Sequence, residues 1–300
     1  MGARRAGASA RPHRTVVVPV RHWGRVLLGM IVAVIAAAIV YAFARADIDW
    51  GMVGSYLGAD LIITGMLHTL ELTVLSMAMA LVLGTCAAVM RQSQNPVLRV
   101  VSAFYAWLFR GTPLLVQLLI WYNLSIVFKT VTIPGLFSLQ TNQLMTPFVA
   151  SLLGLGVNEG AYISEIIRGG ILAVSKGQTE AALAIGMTRG KLMRRIVLPQ
   201  ALRVIVPPLG NEFISLLKYS SLAFTISYFE LLDAATRIYT ANFRVIELLF
   251  TASIWYLILT TVFTAFQIVL ERRLGKGRGQ GSVLGQLQRN LSLRRVQVVR

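Results

Sequence analysis

Apolar residues in this chain come in long, nearly unbroken blocks, and polar residues collect between the blocks. A helix needs roughly 20 mainly apolar residues to cross a bilayer. Six stretches answer to that pattern: Val26–Ala44, Leu61–Met90, Leu114–Phe128, Pro147–Ile171, Pro207–Leu232 and Ile246–Leu270. The third is the shortest, and the segment before it, Val97–Phe109, is also apolar. Between them Arg110-Gly111-Thr112-Pro113 interrupts the run, and proline suits the first position of a helix. The pattern therefore predicts an all-α integral membrane protein with six transmembrane helices. Val97–Phe109 is expected as an elbow lying along the membrane, with the third span starting at Pro113.

The polar positions give the orientation, because Lys and Arg accumulate in cytoplasmic connections. With the N-terminus inside, that side holds Arg4, Arg5, Arg11, Arg14, Arg21, Arg25, Arg91 and Arg99, those from Lys176 to Arg203, and those from Arg272 to Arg300. The count is twenty-two, against four outside: Arg45, Lys129, Arg237 and Arg244. Both termini are thus expected in the cytoplasm. Ala42-Phe43-Ala44 resembles a small-x-small cleavage site, but the apolar run before it is longer than a signal-peptide core, so a retained first span is the reading.

Composition agrees: 56% of the 300 residues are hydrophobic and only 14% charged, against about 25% charged in a soluble domain. The net charge of +17 belongs to membrane topology and needs no nucleic-acid partner. One cysteine, Cys86, rules out an intrachain disulfide, and His13, His22 and His68 form no metal-ligand pattern. The expected organisation is a basic tail over 1–25, a first span and external loop over 26–60, a core over 61–273 with a cytoplasmic loop at 172–206, and a basic tail over 274–300.

That loop is too charged to cross a bilayer. Gln178–Met187 is made of helix formers, Thr188-Arg189-Gly190 breaks it, and Lys191–Leu198 forms a second short helix ended by Pro199. Ala181, Ala182 and Gly186 offer a flank that another backbone could approach closely. Composition alone leaves two readings open, a helix pair that docks on a partner and an interfacial helix with its arginines on anionic lipid.

The motif separates them. Glu180-Ala181-Ala182, then Gly186, then Ile196, then Leu198-Pro199 resembles the "EAA" loop in permease subunits of ABC importers. "TLELTVLSMAMALVLG" (Thr69–Gly84), "RGTPLLVQL" (Arg110–Leu118), "AYISEIIRGGILAVSKGQTEAA" (Ala161–Ala182) and "RRIVLPQALRVIVPPLGNEFISLLKYSSLAF" (Arg194–Phe224) are similar to the polar amino-acid uptake branch of that family. The likeness covers about Leu61 to Arg273, a five-span type I importer core, and leaves the first span outside it. It departs at Lys218-Tyr219-Ser220-Ser221-Leu222, where the family usually has Lys-Asp-Thr-Ser-Leu, and at Ser227-Tyr228, which replace Gly-Val.

The resemblance implies a multi-pass subunit in a bacterial inner membrane, a second identical or homologous permease, an extracytoplasmic amino-acid-binding protein and a dimer of ATPase subunits. The loop would be the coupling helix that seats in the ATPase, through Glu180, Ala181, Ala182, Gly186, Ile196, Leu198 and Pro199. This chain has no GxxxxGK[ST] phosphate loop, so no cofactor is expected on it; ATP and its Mg would sit on the ATPase.

A charge near the bilayer centre costs about 2.5–3.5 kcal/mol, so charges inside the spans are pathway or pairing candidates. Glu71 in the second span, Glu159 in the fourth beside Gly154-Leu155-Gly156, where the helix is expected to loosen, and Lys218 with Ser221 in the fifth are the candidates. Glu159 either pairs with a neighbouring group such as Lys218 or meets the ammonium or basic side chain of an amino acid, with Lys218 and Ser221 at the carboxylate end. Glu165 and Arg168 are expected to pair at i,i+3. Asn211 and Glu212 are expected to open the fifth span and to cap or pair locally.

Two alternatives belong to other classes. An ion-coupled transporter or channel predicts an internal repeat with broken helices, and no repeat is found. A membrane enzyme needs a catalytic constellation, and none is present.

Overall fold

The computed structural model describes residues 23–133 and 137–274. The basic residues up to Arg21, His13, His22 and the tail from Gly275 lie outside the described residues. The chain divides into two units. One holds α1 (Trp23–Arg45); the other begins at Asp49 and contains everything that follows.

Most apolar blocks become helices. In the second unit, α2 (Trp50–Leu57) precedes α3 (Asp60–Arg91), and α4 (Pro96–Gly111) precedes α5 (Leu114–Tyr122) and α6 (Leu124–Val127). A two-stranded antiparallel hairpin follows, β1 (Thr130–Ile133) with β2 (Phe137–Gln140), pairing Thr130 with Gln140. Next come α7 (Thr141–Leu144), α8 (Pro147–Leu172), α9 (Lys176–Ala184), α10 (Arg189–Leu192) and α11 (Leu198–Tyr219). α12 (Leu231–Asn242) and α13 (Val245–Leu274) complete the described chain. The expected all-α fold is thus corrected by one short hairpin, rich in the β-branched residues that favour strands.

Among the described residues three helices are long and apolar enough to cross a membrane, Val26–Arg45, Asp60–Arg91 and Val245–Arg273, and the bent pair α4–α5 adds a fourth if counted as one. α8 and α11 have the length, at 26 and 22 residues, but carry charged and amide groups. Several of these turn inward, Asn158 and Glu159 being buried.

The chain departs from its expected spans at three places. The segment between the first two spans contains α2, capped by Asp49, whose carboxylate accepts from Met52 N at 3.0 Å; Trp255 Nε1 donates to Leu57 O at 3.0 Å and ties α2 to α13. The second loop helix does not stop at Pro199. It widens into a π turn, Met193–Val197, and runs on as α11 through Pro199, Pro207 and Pro208. Leu198 N–H reaches back to Met193 O. That wider turn makes room for a proline ring and for the N–H the proline lacks.

The expected fifth span also ends early. Ser220–Ile226 tightens into a 3₁₀ helix, in which Ser220, Ser221 and Thr225 hydroxyls donate to carbonyls three residues back at 2.7 Å. Ser227, at φ 60°, turns the chain into α12. Buried Glu230 caps that helix: it accepts from Asp233 N at 2.8 Å and from Tyr256 Oη at 2.7 Å, joining α12 to α13.

The centre is the contact between α3 and α8, the most extensive helix pair. Small residues let the backbones approach. A Cβ on Gly84 would lie 2.6 Å from Ile163 Cγ2 and 2.9 Å from Gly160 O; one on Gly156 would strike Met79. The Gly154-Leu155-Gly156 stretch, expected to loosen the helix, lies inside continuous α8 instead. There its glycines admit Leu118 from α5 and Met79 from α3.

Gly84→Ala should lower the thermal midpoint of the detergent-solubilised protein, by a destabilisation of about 1–3 kcal/mol from overpacking. Gly54→Ala, whose Cβ meets nothing within 4 Å, should not lower it. Equal midpoints for the two variants would show that the α3–α8 contact gives way freely.

Candidate functional site

The elbow expected before the third span is a real bend: α4 and α5 meet at 103°. Asn95 caps α4 at its start, and Thr112 and Pro113 are extended, so the helix stops and restarts. Two buried amides hold the corner. Gln117 Nε2 donates to Phe109 O at 2.9 Å, Thr112 O at 3.1 Å and Thr112 Oγ1 at 2.7 Å. From α8, Asn158 Nδ2 donates to Phe109 O at 2.8 Å and to Gln117 Oε1 at 3.2 Å. Tyr105 Oη donates to Val157 O at 2.6 Å, fixing α4 to the same turn of α8. Backbone carbonyls freed by the bend are thereby satisfied inside the protein, as irregular backbone at membrane depth requires.

A cavity of about 620 Å³ opens against this corner. It is lined by Arg110, Thr112, Pro113 and Leu114 from the elbow, by Asn158, Glu159 and Tyr162 from α8, and by Glu212, Tyr219 and Leu222 from the chain around α11. Glu159 is only 2% exposed, and its Oε1 has no hydrogen-bond partner within the protein. The carboxyl group facing it belongs to Glu212. Arg110 stacks its guanidinium over Tyr162, 5.3 Å from the ring centre.

The expected pathway residues are therefore divided. Only Glu159 lies in this cavity. Lys218 and Ser221 line a separate one of about 360 Å³, with Ser253, Tyr256, Leu257 and Thr260. The reading that Glu159 pairs with Lys218 is corrected: the ion pairs among the described residues are Arg168–Glu165, Arg237–Asp233 and Arg244–Glu247. The first, at 2.7 Å, is the i,i+3 pair expected from the sequence. Glu71 lies in neither cavity; it is exposed on α3 and close enough to Tyr228 to act on it electrostatically. Glu212 and Asn211 do not open a span, because α11 starts at Leu198; Asn211 Oδ1 accepts from Gln267 Nε2 at 3.0 Å. Sequence reading missed Arg110, Asn158 and Glu212 as neighbours of Glu159 in this cavity, and Gln117 as a brace of the elbow. The "RGTP" interruption was their signal.

The residues of the 172–206 loop gather separately. Ala182 turns inward with Leu192 and Val197 into a small core of the loop's own, so it is not part of an open flank. Gly186 ends α9 at φ +81°, with Met187 N bonded to Ala182 O at 3.1 Å. That left-handed C-terminal turn favours glycine. Glu180, Ala181, Leu198 and Pro199 are exposed, Ile196 half-buried, and Ile185 stands 79% exposed beside the turn.

The family described as binding-protein-dependent transport system inner membrane component matches residues 80–276. The chain belongs to that family. Among relatives of this inner-membrane component, an arginine transport system permease protein of Corynebacterium glutamicum is 42% identical over 90% of this chain and 87% of its own. A glutamine transport system permease protein of Escherichia coli is 35% identical over 75% of this chain and 97% of its own. The crystal structure of an amino acid ABC transporter, at 36% identity, superposes with a TM-score of 0.67 over 76% of this chain and 100% of that one. An inward-facing MetNI methionine ABC transporter shares the fold at 21% identity and TM-score 0.59. A permease family of this kind performs transport.

Gln117→Leu and Asn158→Leu should each cost about 1–3 kcal/mol, because each strips a buried carbonyl or amide of its partner. Thermal unfolding of both single variants and the double variant tests whether they form one device. The double loss should fall short of the sum of the two by at least about 0.5 kcal/mol; simple additivity would mean that each amide acts alone.

Proposed function

We propose that this chain is the permease subunit of an ATP-driven importer that moves a polar, preferentially basic, amino acid across a bacterial cytoplasmic membrane by alternating access. The carrying observation is Glu159, buried in a cavity where its carboxyl group lies within hydrogen-bonding reach of that of Glu212. Two carboxyl groups at membrane depth favour a cation, and such groups mark substrate routes in membrane proteins. The arginine, glutamine and amino-acid systems among the relatives support the substrate class.

Six spans make up this reading: α1, α3, the bent α4–α5 pair, α8, α11 and α13, with both termini in the cytoplasm. A second permease, identical or homologous, completes the pathway. An extracytoplasmic binding protein delivers substrate, and lipid surrounds the spans. Two ATPase subunits bind ATP and Mg, and this chain makes or breaks no covalent bond. The segment Glu180–Pro199 seats in the ATPase. Its exposed apolar Ile185, the stiff Gly186 turn and the basic residues Arg189, Lys191, Arg194 and Arg195 suit a docking element. The π turn carries the loop straight into α11, so movement of one is movement of the other. Lys218, Ser221 and Glu71 are assigned to the wider pathway surface and not to the Glu159 cavity.

Reconstituted with its ATPase and binding protein in liposomes, the permease should accumulate L-arginine only with ATP inside. Glu159→Gln should raise KM for L-arginine about 10–100-fold, the loss of one charge-assisted hydrogen bond, and affect L-glutamine less. Unchanged kinetics for both amino acids would remove Glu159 from the pathway.

Gly186→Glu has room for its side chain and a backbone penalty of about 1–2 kcal/mol at that positive φ, so the protein should still insert. Uptake should nevertheless fall at least about tenfold, with weaker co-purification of the ATPase, because a loss of about 1.4 kcal/mol at the contact is already tenfold. Normal uptake would exclude the loop turn from coupling.

A further inference from the structure

We propose that the cleft among α3, α11 and α13 binds an anionic phospholipid, with an acyl chain in its apolar slot and the phosphate on Arg203 and Arg273. The site is separate from the Glu159 cavity and stands whichever substrate the chain carries. It needs only that these helices lie in the bilayer, for which α3 and α13 have the length and apolarity.

The slot is a cavity of about 260 Å³, lined by Met77 and Leu81 from α3, Leu209 and Phe213 from α11, and Phe263 and Leu270 from α13. Phe213 and Phe263 form part of its wall, with ring centres 4.7 Å apart. Among the described residues the one polar side chain in the lining is Gln267, and its amide is already committed. Its Nε2 donates to Glu271 Oε1 at 2.9 Å, Asn211 Oδ1 at 3.0 Å and Pro207 O at 3.2 Å. The rim is apolar as well: Phe266, which lines the cavity, is exposed beside exposed Val262 and Val269. An acyl chain finds packing partners there, whereas a polar solute finds no free hydrogen-bonding group.

Charge marks one end of the slot. On α11 the lining positions Val206, Leu209, Gly210 and Phe213 recur at helical spacing, and Arg203 lies one turn before Val206 in the same stripe. On α13 the stripe is Phe263, Phe266, Gln267 and Leu270, and Arg273 lies one turn beyond Leu270. Pro207 meets Gln267 and Phe213 meets Phe263, so the two helices run in opposite senses. Both arginines therefore continue their stripes toward the same end.

Those arginines are available. Arg203 and Arg273 are exposed, and neither forms an ion pair among the described residues. Glu271, the acid at that level, accepts from Gln267 and pairs with neither of them, and Arg272 adds a further positive charge. Guanidinium forks suit a phosphate, and basic positions between transmembrane helices bind anionic head groups. A phospholipid answers the slot and the arginines together; an apolar helix from a partner would answer only the slot.

The test is native mass spectrometry of the delipidated permease–ATPase complex, titrated with phosphatidylglycerol or with phosphatidylethanolamine of matched chains. The wild-type complex should bind its first phosphatidylglycerol at least about tenfold more tightly, each basic contact being worth about fivefold. Arg203→Gln with Arg273→Gln should reduce that preference to about threefold or less. Arg294→Gln with Arg295→Gln, in the basic tail, should keep it. Val206→Trp fills the slot and should weaken both lipids at least about fivefold, because buried CH₂ groups worth about fourfold each are shut out.

A preference retained in the Arg203, Arg273 double variant, or lost equally in the tail variant, would overturn the site. Where the double variant does not assemble, the single variants decide: a loss of about fivefold in each supports the site, and no loss in either overturns it. If Val206→Trp leaves both affinities unchanged but separates the permease subunits, the slot belongs to a partner helix and the proposal fails.

Discussion

Everything in the second unit hangs on the close approach of α3 and α8. Lipid gives helices no hydrophobic reason to associate, so contact must come from packing area and from polar groups that find each other. Gly84 on α3 and Gly156 and Gly160 on α8 remove the side chains that would hold the backbones apart. Leu72, Met77 and Ala80 then pack with Leu155 and Ile163 in one buried cluster. With α8 fixed on that side, its other face can hold polar residues without exposing them to lipid. Asn158 and the Val157 carbonyl take up the elbow, and Glu159 is left buried in the cavity wall. A charged residue at that depth is tolerable because the helix carrying it is clamped from behind.

Sequence and structure agree where one physical rule dominates and part where two compete. Length and apolarity alone predict α1, α3 and α13 to within a few residues of their ends. The elbow at 97–109 follows from an apolar run cut by Arg-Gly-Thr-Pro. Proline misleads elsewhere. Pro207 and Pro208 look like a helix start, yet they lie inside α11, where Gln267 from α13 donates to Pro207 O at 3.2 Å. Tertiary contacts thus supply what local propensity denies. The serines at 220 and 221 read as pathway polarity, and they do line a cavity at Ser221; their hydroxyls bond back to Leu217 and Lys218 in a tightened turn. Sequence spacing cannot show which charges share a cavity. Glu159 and Lys218 belong to helices that neighbour one another, but facing is set by the rotation of each helix, and periodicity along one chain does not give that.

Glu212 shows the same limit from the opposite direction. Placed at a span's end by the proline rule, it has only a local role to play. Once α11 starts at Leu198, Glu212 moves to the depth of Glu159, and the cavity gains a second carboxyl group. The proposed preference for a cation therefore depends on a helix boundary as much as on any residue's identity.

That boundary also bears on how the proposed coupling would work. Glu159 lies on the helix that leads into the 172–206 loop, and Glu212 on the helix that leads out of it. At a rise of ~1.5 Å per residue, each carboxyl group stands about 20 Å from its own end of the loop. The two helices are continuous over that distance, the second because the π turn absorbs Pro199 without a break. A displacement of the loop would thus reach both carboxyl groups together, and the elbow with them, because Asn158 and the Val157 carbonyl tie α4 and α5 to the turn of α8 that carries Glu159. The consequence is geometric. The lining of the Glu159 cavity would change its setting with the position of the loop as a connected body, without any single contact having to break first.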